Sequence, residues 1–227
     1  MRFMTFNIQG GRGRDNRTDL KRIAELARHV RPAAWAVQEL WVGAHDQVAQ
    51  LRQLTSMQAH FTPTEELSQG VFGHAIFAKE ELRNPEVLLL PPDPIRWSPP
   101  RWASRVEIGP TSDPITVVNM HLGLEPEERE AQVGFLQDRG WLRGSRWVVM
   151  GDLNCTPGAK AMRMMQSRLR RLTGWRYCSW PTPFPFLPLD HILVSENLKP
   201  LRVETVREGR ARWASDHLAV WSELQRV

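Results

Sequence analysis

At 227 residues the chain is long enough for one large domain with a sizeable core, spanning 1–227, and no Pro/Gly/Ser-rich linker, low-complexity tract or internal repeat divides it. Its formal net charge of +5 and pI of 9.8 lean towards a polyanionic partner, and its two cysteines, Cys155 and Cys178, exclude a disulfide framework. No apolar run is long enough to span a bilayer, and strand-like sequence from Arg2 leaves no room for a signal peptide, so a cytoplasmic monomer is expected.

The first predicted element is an apolar-rich strand from Arg2, ending at Asn7. From Thr18, the residues Leu20, Ile23, Ala24, Ala27 and Val30 fall at helical spacing, and Pro32 stops the helix. Ala34 to Val37 reads as a buried strand ending at Gln38-Glu39, and helical pattern returns around Ala44 to Leu54. Strands follow at Val71 to Ala78, Arg101 to Ile108 and Ile115 to Met120, the last ending at His121. Pro126-Glu127-Glu128 is a good helix start, with proline in the first turn and acids at the positive dipole end, and this helix is expected to run to about Leu142. A strand from Trp147 ends at Gly151-Asp152, and a short helix covers Ala159 to about Leu169. Two strands, His191 to Val194 and Leu218 to Trp221, close the chain. Loose alternation with hairpin-like pairs in the middle predicts an α/β fold, a mixed-sheet sandwich with helices outside.

Polar residues collect at the strand ends: Asn7, Glu39, His121, Asp152, Asn154, Asp190 and the pair Asp216-His217. Layered α/β folds build their sites there. Asp152 and Asn154 stand two apart, so strand alternation starts them on one face. Each residue has a plainer reading. Asn7, Asp152 and Asn154 are turn formers, His121 fits a satisfied core histidine, and Ser215-Asp216-His217 fits a capping turn. Glu39 is harder to dismiss, because an acid closing a buried strand needs a partner. Jointly, the plain readings require every strand to end in a polar residue by accident.

Together these residues fit hydrolysis of a phosphate ester with a hard cation. Mg²⁺ prefers oxygen ligands and needs only one or two carboxylates, which Glu39 and the Asn7 carbonyl oxygen can begin to supply. Asp152 can deprotonate or orient a water, with Asn154 holding that water or a phosphoryl oxygen. His217 paired with Asp190 would stay protonated and stabilise charge growing on phosphorus. His121 can stabilise or protonate a leaving oxygen. Cysteine-rich zinc spacing and a Gly-x-Ser-x-Gly turn are both absent from the sequence.

The ordered fragments Thr5-Phe6-Asn7, Gln38-Glu39, Asn119-Met120-His121-Leu122, Gly151-Asp152-Leu153-Asn154, Leu189-Asp190-His191-Ile192 and Ser215-Asp216-His217 resemble the endonuclease/exonuclease/phosphatase superfamily. The resemblance runs from Met1 to about Trp221. It implies a four-layer α/β/β/α sandwich with two mixed sheets and outer helices, and a Mg²⁺- or Mn²⁺-dependent phosphoesterase. It further implies Glu39 as the main metal ligand with Asn7 and Asp216 nearby, Asp152 as the water-activating acid, Asn154 as a phosphate or water contact, and His217 as a phosphate contact oriented by Asp190. His121-Leu122-Gly123-Leu124, followed by Glu128-Arg129 and Gln132, is similar to small bacterial members. Arg101 stands where these members place an arginine near the site. His74 departs from the pattern, standing where asparagine is commoner.

From Leu153 to Leu189 there is no acid, whereas Lys160, Arg163, Arg168, Arg170, Arg171 and Arg176 are interleaved with Trp175, Tyr177 and Trp180. Arginines beside aromatics suit a phosphate backbone and stacked bases, so segment 153–189 is expected to border the cleft, with Arg168, Arg170 and Arg171 on nucleic acid. A solvated helix face is the plainer alternative, and anionic lipid headgroups would meet the same residues. A nuclease acting on DNA or RNA is therefore the first reading. A phospholipid or small-molecule phosphodiesterase, favoured by the His-Leu motif and the apolar Phe184-Pro185-Phe186-Leu187, is the second.

Overall fold

The computed structural model describes residues 1–93, 95–209 and 211–227. Its elements run β1 (Arg2–Asn7), α1 (Leu20–Val30), β2 (Ala34–Gly43), α2 (Gln47–Thr55), β3 (Gln58–Leu67), β4 (Gly70–Ala78), β5 (Arg83–Leu89) and β6 (Trp102–Ile108). There follow β7 (Ile115–His121), α3 (Pro126–Asp138), β8 (Trp147–Asp152), α4 (Lys160–Gln166), β9 (Arg170–Arg171), β10 (Asp190–Val194), β11 (Leu198–Thr205), α5 (Ala211–Ala214) and β12 (Val220–Arg226). The strands form two six-stranded mixed sheets, ordered β11-β12-β1-β2-β4-β3 and β5-β6-β7-β8-β10-β9.

Each sheet is built around one parallel pair, β1/β2 and β7/β8, whose strands are joined through α1 and α3. Parallel pairing needs such a crossover, and both faces of these strands are covered, so their sequences read as continuous apolar runs. The inner faces meet through Phe3, Ala36, Ile76, Val106, Val117, Val148, Met150, Ile192 and Val220. Leu20, Ile23, Ala27 and Val30 of α1 pack on the outside of the first sheet, and Val133 and Leu136 of α3 with Met162 and Met165 of α4 pack outside the second. The layers are therefore α/β/β/α.

Besides the two-residue β9, three strands escaped the sequence reading: β3, β5 and β11. All lie at sheet edges, with partly exposed faces that erase the apolar alternation. Each also carries a proline, Pro63, Pro85 or Pro200, where the register with its neighbour shifts. An edge position and a bulge are where a strand tolerates proline. Helix α3 stops at Asp138, short of Leu142, because Trp141 and Leu142 turn back into the outer core. Helix α4 is likewise shorter than expected, and β12 runs further, to Arg226.

Two buried histidines are expected to weaken the fold in acid. His191 holds Thr173 Oγ1 and the Cys155 carbonyl at 2.8 Å each, and burial pushes its imidazole down to about 4. His74 faces Ser104 across the sheets at 3.0 Å, and burial pushes it down to about 3. Both take up protons more readily unfolded than folded, so their contribution is full above about pH 6.5 and fades as pH falls towards those values. Urea unfolding should show stability declining between pH 6.5 and 4, at up to about 1.4 kcal/mol per pH unit for each histidine. His191→Gln should flatten that decline, and an unchanged slope in this variant would refute the assignment.

Candidate active site

The C-terminal ends of both parallel pairs point the same way, and the polar residues gather there in a cleft of about 450 Å³. Asn7 ends β1, His121 ends β7 and Asp152 ends β8, as the strand reading expected. Glu39 differs. Strand β2 does not stop at it but continues to Gly43, and the register with β4 shifts between Val37 and Leu40. Glu39 lies in that bulge with φ +62°, a conformation a non-glycine residue adopts at a cost of about 1–3 kcal/mol. The bulge turns the carboxylate out of the ladder into the cleft.

Asn7 bridges the carboxylates, donating through Nδ2 to Glu39 Oε1 at 2.8 Å and Asp152 Oδ2 at 3.0 Å, while its Oδ1 accepts the Gln9 N–H. The amide therefore offers the cleft its nitrogen rather than the carbonyl oxygen expected of a ligand. Asp152 Oδ1 accepts the Asn154 N–H at 3.1 Å. Its Oδ2 faces His121 Nε2 at 3.5 Å and His217 Nε2 at 3.7 Å. Asn154, at φ +48°, donates its amide to the Leu122 carbonyl, so it fixes the loop after His121 while lining the cleft.

The expected pair of Asp190 and His217 is formed: Nδ1 of the ring lies 2.7 Å from Asp190 Oδ2. Burial opposes protonation of this ring, but the Asp190 and Asp152 carboxylates prevail and push it up to about 10. Burial raises Asp152, with His217 pulling it back, and burial also raises Glu39 against its bond from Asn7. His121 is held well below its ordinary value by burial and by the nearby Arg101 and His217 charges, so it is neutral. Asp216 stands at the margin of the cleft, its carboxylate beside Ser215 Oγ at 3.2 Å and Trp180 Nε1 at 3.4 Å.

Arg101 lines the cleft, makes no ion pair among the described residues, and has a buried Nε without a partner. It is the cleft's one arginine among those residues. The basic segment behaves otherwise. Arg170 and Arg171 form β9, which pairs with Val194 and Leu193, roughly 10–13 Å along β10 from Asp190. Arg170 donates to the Leu198 carbonyl, Arg171 to that of Pro157, and Arg168 is exposed outside the cleft. Segment 153–189 meets the cleft through Asn154, Trp180 and Leu189 instead. Adjacency in sequence to Asp152 had suggested otherwise, but the chain leaves the site along α4 and pairs at the far end of the sheet.

A polar layer beneath the site went unread in the sequence. Gln38 Nε2 donates to Asn119 Oδ1 at 2.7 Å, and Asn119 Nδ2 reaches the Val37 and Ala75 carbonyls of the opposite sheet. These carbonyls border the bulge, where ladder bonding is interrupted, so Asn119 secures the strand that presents Glu39. The available signal was a carboxamide inside Val117-Val118-Asn119-Met120. Arg129 and Gln132 of α3 bond the backbone of Gly123 and Leu124, and a Cβ on Gly123 would lie 1.9 Å from the Glu128 carboxyl. This close approach positions the loop after His121. Gly151 is required similarly, since a Cβ there would sit 1.8 Å from the Met120 carbonyl oxygen.

The sequence profile of the endonuclease/exonuclease/phosphatase family matches residues 4–217. The chain belongs to that family. Its members are phosphoester hydrolases that generally use divalent metals, and here Asp152, Asp190 and His217 form a buried group whose ligand atoms lie within 4.8 Å of one another and could hold one. No curated protein matches the sequence. Among solved structures, the family protein of Beutenbergia cavernae is 20% identical with a TM-score of 0.80, covering 99% of this chain and 71% of that one. A mannosyl-6-phosphatase of Bacteroides thetaiotaomicron is 17% identical with a TM-score of 0.82, covering 99% of both chains. The catalytic domain of human Nocturnin, solved with a sulfate anion, is 18% identical with a TM-score of 0.79, covering 100% of this chain and 94% of that one. At these identities the likeness is one of fold. No helix among the described residues is long and apolar enough to cross a membrane.

Proposed function

We propose that this protein hydrolyses phosphodiester bonds with a divalent cation, Mg²⁺ or Mn²⁺, and that its substrate is compact. One observation carries the reading: Arg101, Glu39, Asp152 and His217, the last bonded to the buried Asp190, line a single cleft. The donor set suits a hard cation. Glu39 is largely buried, its hydrogen-bond partner in the cleft is the neutral amide of Asn7, and a cation at its oxygens would offset the cost that burial imposes on the charged form. Asp216 is the next carboxylate outward, and Asn7 serves by orienting Glu39. A protonated His217 bonded to Asp190 is poorly suited to ligation, which favours Glu39 over the Asp152, Asp190 and His217 group. When bound, the cation supplies Lewis acidity at the phosphoryl oxygen and binds a substrate oxygen.

The chain's own groups supply the rest. Asp152 accepts a proton from the attacking water at Oδ2, the oxygen facing both histidines, while the Asn154 N–H holds Oδ1. The His217 imidazolium, fixed by Asp190, offers its Nε2–H to the phosphoryl oxygens as charge accumulates. Arg101 adds a second positive charge at the opposite wall. Neutral His121 supplies a hydrogen bond at the leaving oxygen rather than a full charge.

Nucleic acid, the first reading of the sequence and supported by the net charge of +5, becomes the second here. The displacement of Arg168, Arg170 and Arg171 from the cleft, and its small volume with walls from Phe72, Trp102, Leu124 and Trp180, favour a compact ester. Activity on bis(p-nitrophenyl) phosphate, single-stranded DNA, RNA, sphingomyelin and sugar phosphates, with each metal and with EDTA, separates the readings. Metal-independent cleavage would overturn the mechanism. Glu39→Gln is expected to weaken Mg²⁺ binding by at least the roughly 10–100-fold that loss of even an outer partner costs, with excess metal restoring part of the activity. Unchanged affinity by calorimetry would remove Glu39 from the metal site.

A further inference from the structure

His74 belongs to the cleft wall, yet no step above uses it. Its ring is only 2% exposed, on β4, and it faces the opposite sheet, where Ser104 of β6 holds Nε2 at 3.0 Å. Nδ1 has no hydrogen-bond partner among the described residues. His191 provides the contrast: it is equally buried, but both its nitrogens are bonded within the protein. His74 differs from it in that Nδ1 is left without a protein partner yet is not among the fully buried unpartnered atoms, so it opens to the cleft, where water or a ligand can meet it.

The chemistry of that nitrogen restricts its partner. Burial keeps the ring uncharged, so it forms hydrogen bonds rather than ion pairs. The Ser104 hydroxyl can either donate to Nε2 or accept from it, so Nδ1 can be presented as donor or acceptor. An alcohol hydroxyl complements both states. A phosphoryl oxygen accepts only, and it is better served by the Arg101 and His217 cations in the same cleft. We propose that His74 is a specificity-determining residue whose Nδ1 hydrogen-bonds a hydroxyl of the substrate beside the scissile ester, so that the preferred substrates are phosphodiesters of a sugar or other polyol. The inference rests on the phosphodiesterase reading above.

Two probes with the same charge and the same leaving group test it: the p-nitrophenyl phosphodiesters of glycerol and of propan-1-ol, which differ in their hydroxyls. The parent protein with Mg²⁺ or Mn²⁺ should favour the glycerol ester in kcat/KM by roughly tenfold, the worth of one well-made hydrogen bond. His74→Phe should abolish that preference, and His74→Asn, which keeps a donor and an acceptor, should retain part of it. Ser104→Ala deletes a single oxygen and should narrow the same ratio, which provides a reading should the phenylalanine variant fail to fold. Equal treatment of both probes by the parent, or an equal loss on both in His74→Phe, would overturn the inference while leaving the phosphodiesterase reading intact. Cleavage of neither probe with either metal would overturn that reading and the inference with it.

Discussion

Asp152→Asn is expected to lower kcat by about 10²–10⁴-fold while changing KM little, because the proposed mechanism assigns Asp152 as a base used chiefly in the transition state. The asparagine side chain has the same shape and can still accept the Asn154 N–H through its oxygen, so the loop that lines the cleft should keep its place. What disappears is the Oδ2 carboxylate oxygen to which Asn7, His121 and His217 all point. Steady-state kinetics on a soluble phosphodiester at saturating metal, with melting temperatures alongside, give the measurement. Near-normal turnover in a folded variant would show that the water is activated elsewhere.

The Asp190–His217 pair should behave as one unit. His217→Ala removes the imidazolium that the proposed mechanism sets against the phosphoryl group and should cost roughly 10²–10³-fold in kcat, the scale of one preorganised charge-stabilising donor. Asp190→Asn keeps the ring but withdraws the closest of the carboxylates that hold it protonated. Its effect passes through His217, so the double variant should be scarcely slower than His217→Ala alone. The pH profile offers a second readout, since the ring in Asp190→Asn should deprotonate well below the parent value of about 10, bringing the alkaline fall in activity closer to neutrality. Full multiplicativity of the two losses, with an unmoved profile, would mean that the residues act independently.

The sequence was most legible where strands are central. Asn7, His121 and Asp152 end runs buried on both faces, and a polar residue closing such a run marks the exit from the sheet. The edges were obscure for the opposite reason: β3, β5 and β11 are half solvated and broken by proline, so neither period nor propensity singled them out. Glu39 was identified without its setting, because nothing in Gln38-Glu39-Leu40 announces a bulge. The arginines of segment 153–189 were misplaced for a topological reason. A helix and an edge strand carry them away from the residue they follow in the chain, and only the pairing of β9 with β10 reveals this. Asn119 was noted as part of a motif, but its reach into the opposite sheet depends on sheet packing that no local pattern encodes.

Glu39 and Asn7 belong to the first sheet and His121, Asp152 and Asp190 to the second, with His217 entering just ahead of β12. Neither sheet alone carries the proposed catalytic set. Catalytic geometry tolerates errors of only about 0.5 Å, so turnover acts as a gauge of how well the two inner faces have docked. A loosened chain that kept all of its strands, and with them its far-ultraviolet dichroism, would be chemically silent. On the proposed mechanism, core residues remote from the cleft, such as Val117 and Ile192, would then tune the rate through the gap across which the two half-sites meet.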